Sequence, residues 1–398
     1  MLFIDSGAAA EQFKSTVLEE IAAAPEVDKF IAVDTEFIRE RLEKPLLCLV
    51  QIATPLNVFI IDAIAVGVGC LRSMFASQCL LKVLHSARQD LEILHRYSVQ
   101  VENFRDTQLQ EMILSDNSYM NYQSMVSKYL NKNLDKDYVL SNWKNRPLTQ
   151  EQLSYAASDV IYLRDVYKIQ WMELLRLGRT DWLCDELSRL RPHSSSTETV
   201  PEESDQSSSM RHQLLEWRKQ KAQECNVGEE SLVSTRFINV VLKKGSKFIA
   251  KMKNSRQISD KNLLDFLQFA EALFEHTSTT VKVKRNEPLF YALKTLLEIC
   301  ARKNNVSPQI IAVSADLEGL LDKIQDWYPP EITPASAMMS QDLGDIKFLH
   351  GWRKEIFGNV VLEFLNGNIA IGASGSEAVV FKINDEKVVH ESVNSWRW

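Results

Sequence analysis

The chain has 398 residues, too many for one ordinary domain, and its hydrophobic content of 45% is enough to build real cores. With only 13 Gly and 11 Pro it fits neither a fibrous nor a disordered class, and no apolar run approaches the roughly 20 residues of a membrane span. The net charge of −7 counts against a uniformly basic nucleic-acid binder, yet residues 211–276 hold 12 Lys and Arg against 8 Asp and Glu, so charge has to be judged by segment.

The first residues, MLFIDSGAAAEQFK, lack a basic stretch followed by an apolar one, so no secretory signal is expected. The six cysteines (Cys48, Cys70, Cys79, Cys184, Cys225, Cys300) are scattered, with no C-x-x-C pair. That spacing argues against a zinc site and a disulfide framework and points to a reducing, cytoplasmic compartment.

In chain order, residues 9–24 carry helical spacing. Residues 30–38 (FIAVDTEFI), 46–54 (LLCLVQIAT), 57–62 (NVFIID) and 80–85 (LLKVLH) are short, apolar and β-branched, as strands are. Helical spacing returns at 87–97, 106–115 and 121–130, and a long helix starts at Thr149, where TQEQ forms a capping box with Gln152. Three close strands followed by helix and strand imply a mixed sheet flanked by helices, an α/β domain over residues 1–190. Residues 191–209, rich in Ser, Pro and acid, read as a linker. Beyond it, LLEWRKQKAQECNV (214–227) and LLEICARKNNVSP (296–308) resemble one another, which implies two copies of a small helical module at 210–278 and 287–368. The tail, 369–398, contains a β-hairpin pattern around Asn384 and Asp385.

The chemistry-bearing residues are acids. Asp34 and Glu36 are two apart on a strand, so both project from one face. Two carboxylates side by side repel each other unless a dication lies between them, and oxygen ligands suit Mg²⁺ or Mn²⁺. The alternative is a strand end emerging into water. Asp90 stands in the first turns of the helix after His85, where an acid is favourable without any further role. Tyr155 and Asp159 are i and i+4 on the long helix and share a face, with small residues Ala156, Ala157 and Ser158 between them. They could equally be a surface pair.

Taken together, VDTEF, HSARQDLEIL and YAASDVIYL, in that order and with LVQIA, FRDTQL and WKNRPLTQEQLSYAASDV around them, resemble the tyrosine-bearing branch of the DEDD exonucleases, and within it the ribonuclease D family. The downstream modules resemble HRDC domains. The resemblance implies a ribonuclease H-like mixed sheet followed by all-α domains. It implies a 3′→5′ exoribonuclease that trims tRNA precursors and other structured RNAs, releasing nucleoside 5′-monophosphates. It further implies that Asp34, Glu36, Asp90 and Asp159 hold two divalent ions, with Tyr155 orienting the attacking water. Gln51, Trp143 and Arg146 are candidates to line the substrate, and Lys243, Lys244 and Lys247 to contact RNA phosphates. No membrane, small-molecule cofactor or second subunit is expected. A DNA exonuclease and a non-catalytic RNA-binding protein are the alternatives.

Overall fold

The computed structural model describes residues 1–38, 45–117, 119–134, 141–190, 206–225, 227–253, 261–277, 287–325, 346–375, 377–384 and 387–389. Chain order in the first part is β1 (Leu2–Ile4), α1 (Gly7–Ala23), β2 (Phe30–Ile38), β3 (Leu46–Ala53), β4 (Val58–Asp62), α2 (Ala63–Val66), α3 (Arg72–Phe75), β5 (Leu81–Leu84), α4 (Arg88–Arg96), β6 (Phe104–Asp106), α5 (Thr107–Leu114), α6 (Tyr122–Leu130), α7 (Gln150–Leu177) and α8 (Thr180–Ser188).

The six strands form one mixed sheet in the order β1-β4-β3-β2-β5-β6. β3 runs antiparallel to both neighbours, while β1 with β4, β2 with β5 and β5 with β6 are parallel. The mixed α/β architecture expected from the alternation of elements is therefore present. The strands expected at 30–38, 46–54, 57–62 and 80–85 fall within a residue of their observed bounds. β1 and β6 were not anticipated, because three-residue strands carry no usable periodicity.

Each face of the sheet has its own apolar layer. Val33, Val50, Ile52, Phe59 and Ile61 pack with Phe13 and Val17 of α1 and with Leu91 and Leu94 of α4. On the other face Leu49, Ile60, Ala32 and Ala53 meet Ala156, Ala157, Val160 and Leu163 of α7. The small Ala156–Ala157 pair lets this helix lie close across β2, β3 and β4. α7 begins at the expected capping box, with Thr149 Oγ1 accepting from Gln152 N at 3.2 Å and Gln152 Oε1 from Thr149 N at 3.0 Å.

Downstream come α9 (Gln206–Cys225), α10 (Glu229–Leu232), α11 (Thr235–Lys253) and α12 (Lys261–Thr277), closed around their own core of Leu214, Ile238, Val241, Ile249 and Phe266. α9 starts at Gln206, inside the segment expected to be linker; residues 191–205 lie outside the described residues. α11 breaks at Gly245, whose φ of 68° lies in the left-handed region that glycine adopts without a Cβ penalty.

The second set is α13 (Glu287–Asn304), α14 (Pro308–Ile311), α15 (Ser314–Gln325), α16 (Gly351–Arg353) and α17 (Asn359–Leu365). It shares one continuous apolar cluster with the α/β domain. Arg179 Nη2 donates to Asn304 O at 2.7 Å, Ser307 N to Met112 O at 2.8 Å, and Arg353 bridges back to Asp185 and Glu186 of α8. The tail adds a three-stranded antiparallel sheet, β7 (Ile369–Ser374), β8 (Glu377–Asn384) and β9 (Lys387–Val389), whose first strand was not expected. Asn384 pairs with Lys387, as the hairpin pattern implied. The remainder of the tail, 390–398, lies outside the described residues.

Candidate active site

β2 enters the core as a run of buried apolar residues, Phe30 to Val33, and its second half emerges beneath α7. Side-chain alternation sends Val33 and Thr35 to the α4 side and Asp34 and Glu36 to the α7 side. A register shift after Glu36 leaves Cys48 as an extra residue on β3, so that Cys48 and Leu49 both join the apolar cluster under α7. Such bulges re-aim side chains at the ends of strands.

α7 completes the arrangement. Ligand atoms of Asp34, Glu36 and Asp159 lie within 4.8 Å of one another, all three residues half-buried. Tyr155, one turn before Asp159, donates its phenol hydrogen bond to the Asp159 carboxylate and leans on the buried ring of Trp143 at a centroid distance of 6.1 Å. The surface-pair alternative for Tyr155 and Asp159 does not describe this geometry.

Asp90 approaches from the other layer. It is 7% exposed in the first turn of α4, outside the three-acid cluster, and its Oδ1 accepts from Thr35 Oγ1 at 2.5 Å. The turn that presents it is built by a residue not singled out in the sequence for this purpose. That residue is Asp106, which caps α5 by accepting from Gln108 N. It also accepts from Ser86 N and Ala87 N, both at 2.9 Å, so one buried carboxylate fixes the entry to α4 as well. Ser86 sits at φ 58°, which explains why the turn needs that support.

Electrostatically the acids oppose one another. Burial and then the charges of Asp90, Asp159 and Glu36 push the Asp34 carboxyl well above its usual range. Burial, Asp159 and Asp90 raise Glu36 to about 9. Burial raises Asp159 to about 7, against the lowering effect of the Tyr155 hydrogen bond, and raises Asp90 to about 7, against that from Thr35. Burial followed by the charge of Asp159 also holds the Tyr155 phenol well above its ordinary value, so it stays protonated at neutral pH. Among the described residues no lysine or arginine is ion-paired with Asp34, Glu36, Asp90 or Asp159. Clustered carboxylates without a protein cation are a donor set fitted to hard divalent metal.

The other candidates fall differently. Gln51 is fully buried, opposite Asp34 on β3. Trp143 is 2% exposed and packs under Tyr155. Arg146 holds Asp62, donating from Nη2 to Oδ1 at 2.7 Å and from Nε to Oδ2 at 2.5 Å, which pins the segment before α7 to the end of β4. Its guanidinium is thus engaged within the protein. Lys244 is exposed on α11, with its ammonium 5.0 Å from the ring centre of Phe248; the side chains of Lys243 and Lys247 lie outside the described residues.

Comparison with known proteins agrees with this geometry. Residues 10–175 match a 3′–5′ exonuclease family. Ribonuclease D of Gluconacetobacter diazotrophicus is 29% identical over 385 residues, covering 90% of this chain and 92% of its own. Ribonuclease D of Acidiphilium cryptum is 29% identical over 392 residues, covering 92% and 94%. Over some nine-tenths of its length the chain is thus similar to ribonuclease D. The crystal structure of Escherichia coli RNase D, described as an exoribonuclease involved in structured RNA processing, superposes with a TM-score of 0.63. That match is 21% identical and covers 91% of this chain and 98% of that one, so it bears on the fold, helical C-terminal region included. The α/β domain with its acid cluster is accordingly a 3′–5′ exoribonuclease domain, and its family depends on divalent metal.

Proposed function

We propose that this ribonuclease D-type exoribonuclease trims the 3′ ends of tRNA precursors and other structured RNAs, releasing nucleoside 5′-monophosphates. The observation that carries the reading is the convergence of Asp34, Glu36 and Asp159 within 4.8 Å, with Tyr155 bonded to Asp159 at their edge. Asp34, Glu36, Asp90 and Asp159 would hold two divalent ions, Mg²⁺ or Mn²⁺. Bound there, such ions offset the phosphate charge and lower the pKa of a water.

The chain's own residues supply the rest. Asp34, which projects to the α7 side and feels the charges of Asp90, Asp159 and Glu36, would be the acid shared by both ions. Glu36 and Asp159, which converge with Asp34, would hold the ion on the nucleophile side, and Asp90 would serve the ion on the leaving-group side. The Tyr155 hydroxyl, protonated at neutral pH, cannot act as base; with its one O–H given to Asp159, its oxygen would accept a hydrogen bond from the attacking water and so orient it. Burial of Trp143 behind Tyr155 fixes the ring that carries this hydroxyl. The first helical module, with Lys243, Lys244 and Lys247 on α11, would hold the RNA backbone by phosphate contacts that carry no sequence information. The chain acts as a monomer in a reducing cytoplasm, consistent with six free cysteines.

The test is trimming of a 3′-extended tRNA with Mg²⁺ by the wild-type chain, Asp34→Asn and Tyr155→Phe. The reading requires shortening by the wild type to mononucleotides, none by Asp34→Asn, and slow turnover with unchanged metal affinity for Tyr155→Phe. Survival of the extension with the wild type, or equal trimming by Asp34→Asn, sinks it. A matched DNA oligonucleotide degraded faster than the RNA would favour the DNA exonuclease alternative.

A further inference from the structure

Gln51 is 0% exposed, and among the described residues neither its Nε2 nor its Oε1 has a hydrogen-bond partner. Leaving a buried amide unpaired is costly, so native structures rarely do it without a reason. The register of the sheet supplies one. Gln51 pairs with Asp34 of β2 on one side and Ile60 of β4 on the other. Residues directly opposite in an antiparallel pair share a face, with Cβ atoms about 4.5–5.5 Å apart. The residues two before and two after it, Leu49 and Ala53, meet Ala156 and Ala157 and then Val160 and Leu163 of α7. Gln51 therefore lies under the roof of α7, beside Asp34 and sealed from substrate.

Asp34 is short of donors. The hydrogen bond to its carboxyl comes from the Thr35 backbone, while Thr35 Oγ1 is given to Asp90. Among the described residues, an amide donor without an acceptor thus stands next to an acid without a side-chain donor, on the same face of the sheet.

We propose that Gln51 is a positioning residue, whose side-chain amide donates to the Asp34 carboxylate and fixes the orientation in which Asp34 faces Glu36 and Asp159 when the site holds divalent ions. This replaces substrate lining, which complete burial does not allow, and it rests on the reading of Asp34 as an ion-holding acid. Partners behind metal-binding carboxylates hold the ligand in its binding orientation, and their removal weakens metal affinity by about 10–100-fold.

The experiment is calorimetric titration of the metal-free full chain with Mn²⁺ alone, for the wild type, Gln51→Leu and Gln51→Met, beside thermal unfolding without metal. The expected result is Mn²⁺ binding weakened about tenfold or more in both variants, with a metal-free melting temperature equal to or above wild type, because an unpaired buried amide has been removed. In RNA trimming the Mn²⁺ concentration for half-maximal rate rises while the KM for RNA stays unchanged. Wild-type Mn²⁺ affinity in both variants overturns the proposal, as does failure of both to fold, since an amide with no partners in the metal-free chain is not needed for folding. If the wild-type chain binds no Mn²⁺, it is the site reading itself that fails.

Discussion

Thr35 Oγ1 donates to Asp90 Oδ1 across 2.5 Å, linking the face of β2 that does not carry the acid cluster to the first turn of α4. The bond joins two layers of the fold and holds the fourth acid beside the cluster of the other three. It also works against the burial that raises Asp90.

Thr35→Val keeps the shape of the side chain and removes the donor. It is expected to lower stability by about 1 kcal/mol, the net worth of such a bond, to push the Asp90 carboxyl further up, and to raise the Mg²⁺ concentration needed for half-maximal trimming. Denaturant unfolding and a metal titration of activity check the two effects separately.

Metal removal should expose the burial of the acids and, after it, their mutual repulsion. In the metal-free chain Asp34 is raised well above its usual value, Glu36 to about 9, and Asp90 and Asp159 to about 7, whereas the unfolded chain releases these protons near pH 4. Between about pH 4 and 9 the folded state therefore holds more protons than the unfolded state, and stability falls as pH rises. Melting in EDTA should drop between pH 6 and 9 and recover with Mg²⁺, more at pH 9 than at pH 6. The doubly neutral Asp34→Asn, Glu36→Gln chain should lose most of this slope; an unchanged slope would show that the repulsion lies elsewhere.

Arg353 ties the second helical module to the α/β domain. It is 1% exposed, donates to Asp185 Oδ2 at 2.6 Å and Ile310 O at 2.9 Å, and pairs with Glu186. Its guanidinium stacks on Trp352, which in turn lies flat on Trp182 at 4.4 Å. Arg353→Met removes one partner of a buried pair and leaves Glu186 with only the longer pairs to Lys347 at 3.7 Å and Arg189 at 3.9 Å, at a cost of about 3 kcal/mol, the low end for breaking a buried pair. Asp185, 41% exposed, should tolerate Asn within about 1 kcal/mol. Denaturant midpoints and limited proteolysis around α13 distinguish the two variants.

The α11 lysines should act through phosphates. The combined Lys243→Ala, Lys244→Ala, Lys247→Ala chain is expected to bind single-stranded RNA tails more weakly regardless of sequence. Each lost contact should shrink the slope of log affinity against log salt by about 0.7. Metal affinity should not change. An unaltered slope would leave these lysines as a solvated helix face.

Local pattern accounts for much of the site. A period of two puts Asp34 and Glu36 on one face of β2, and a spacing of four puts Tyr155 and Asp159 on one face of α7, because both relations depend only on the geometry of a single element. The capping box at Thr149 is local in the same way. What no local rule contains is the meeting of those two faces. Asp159 comes within reach of Asp34 only because Ala156 and Ala157 let α7 lie close across the sheet, and Asp90 is held beside that cluster only because Asp106, the cap of α5, also clamps the turn before α4. The orphaned amide of Gln51 and the seat of the second module on Trp182 and Asp185 are of the same kind. They are set by contacts between residues far apart in the chain, where packing and burial decide and propensity does not.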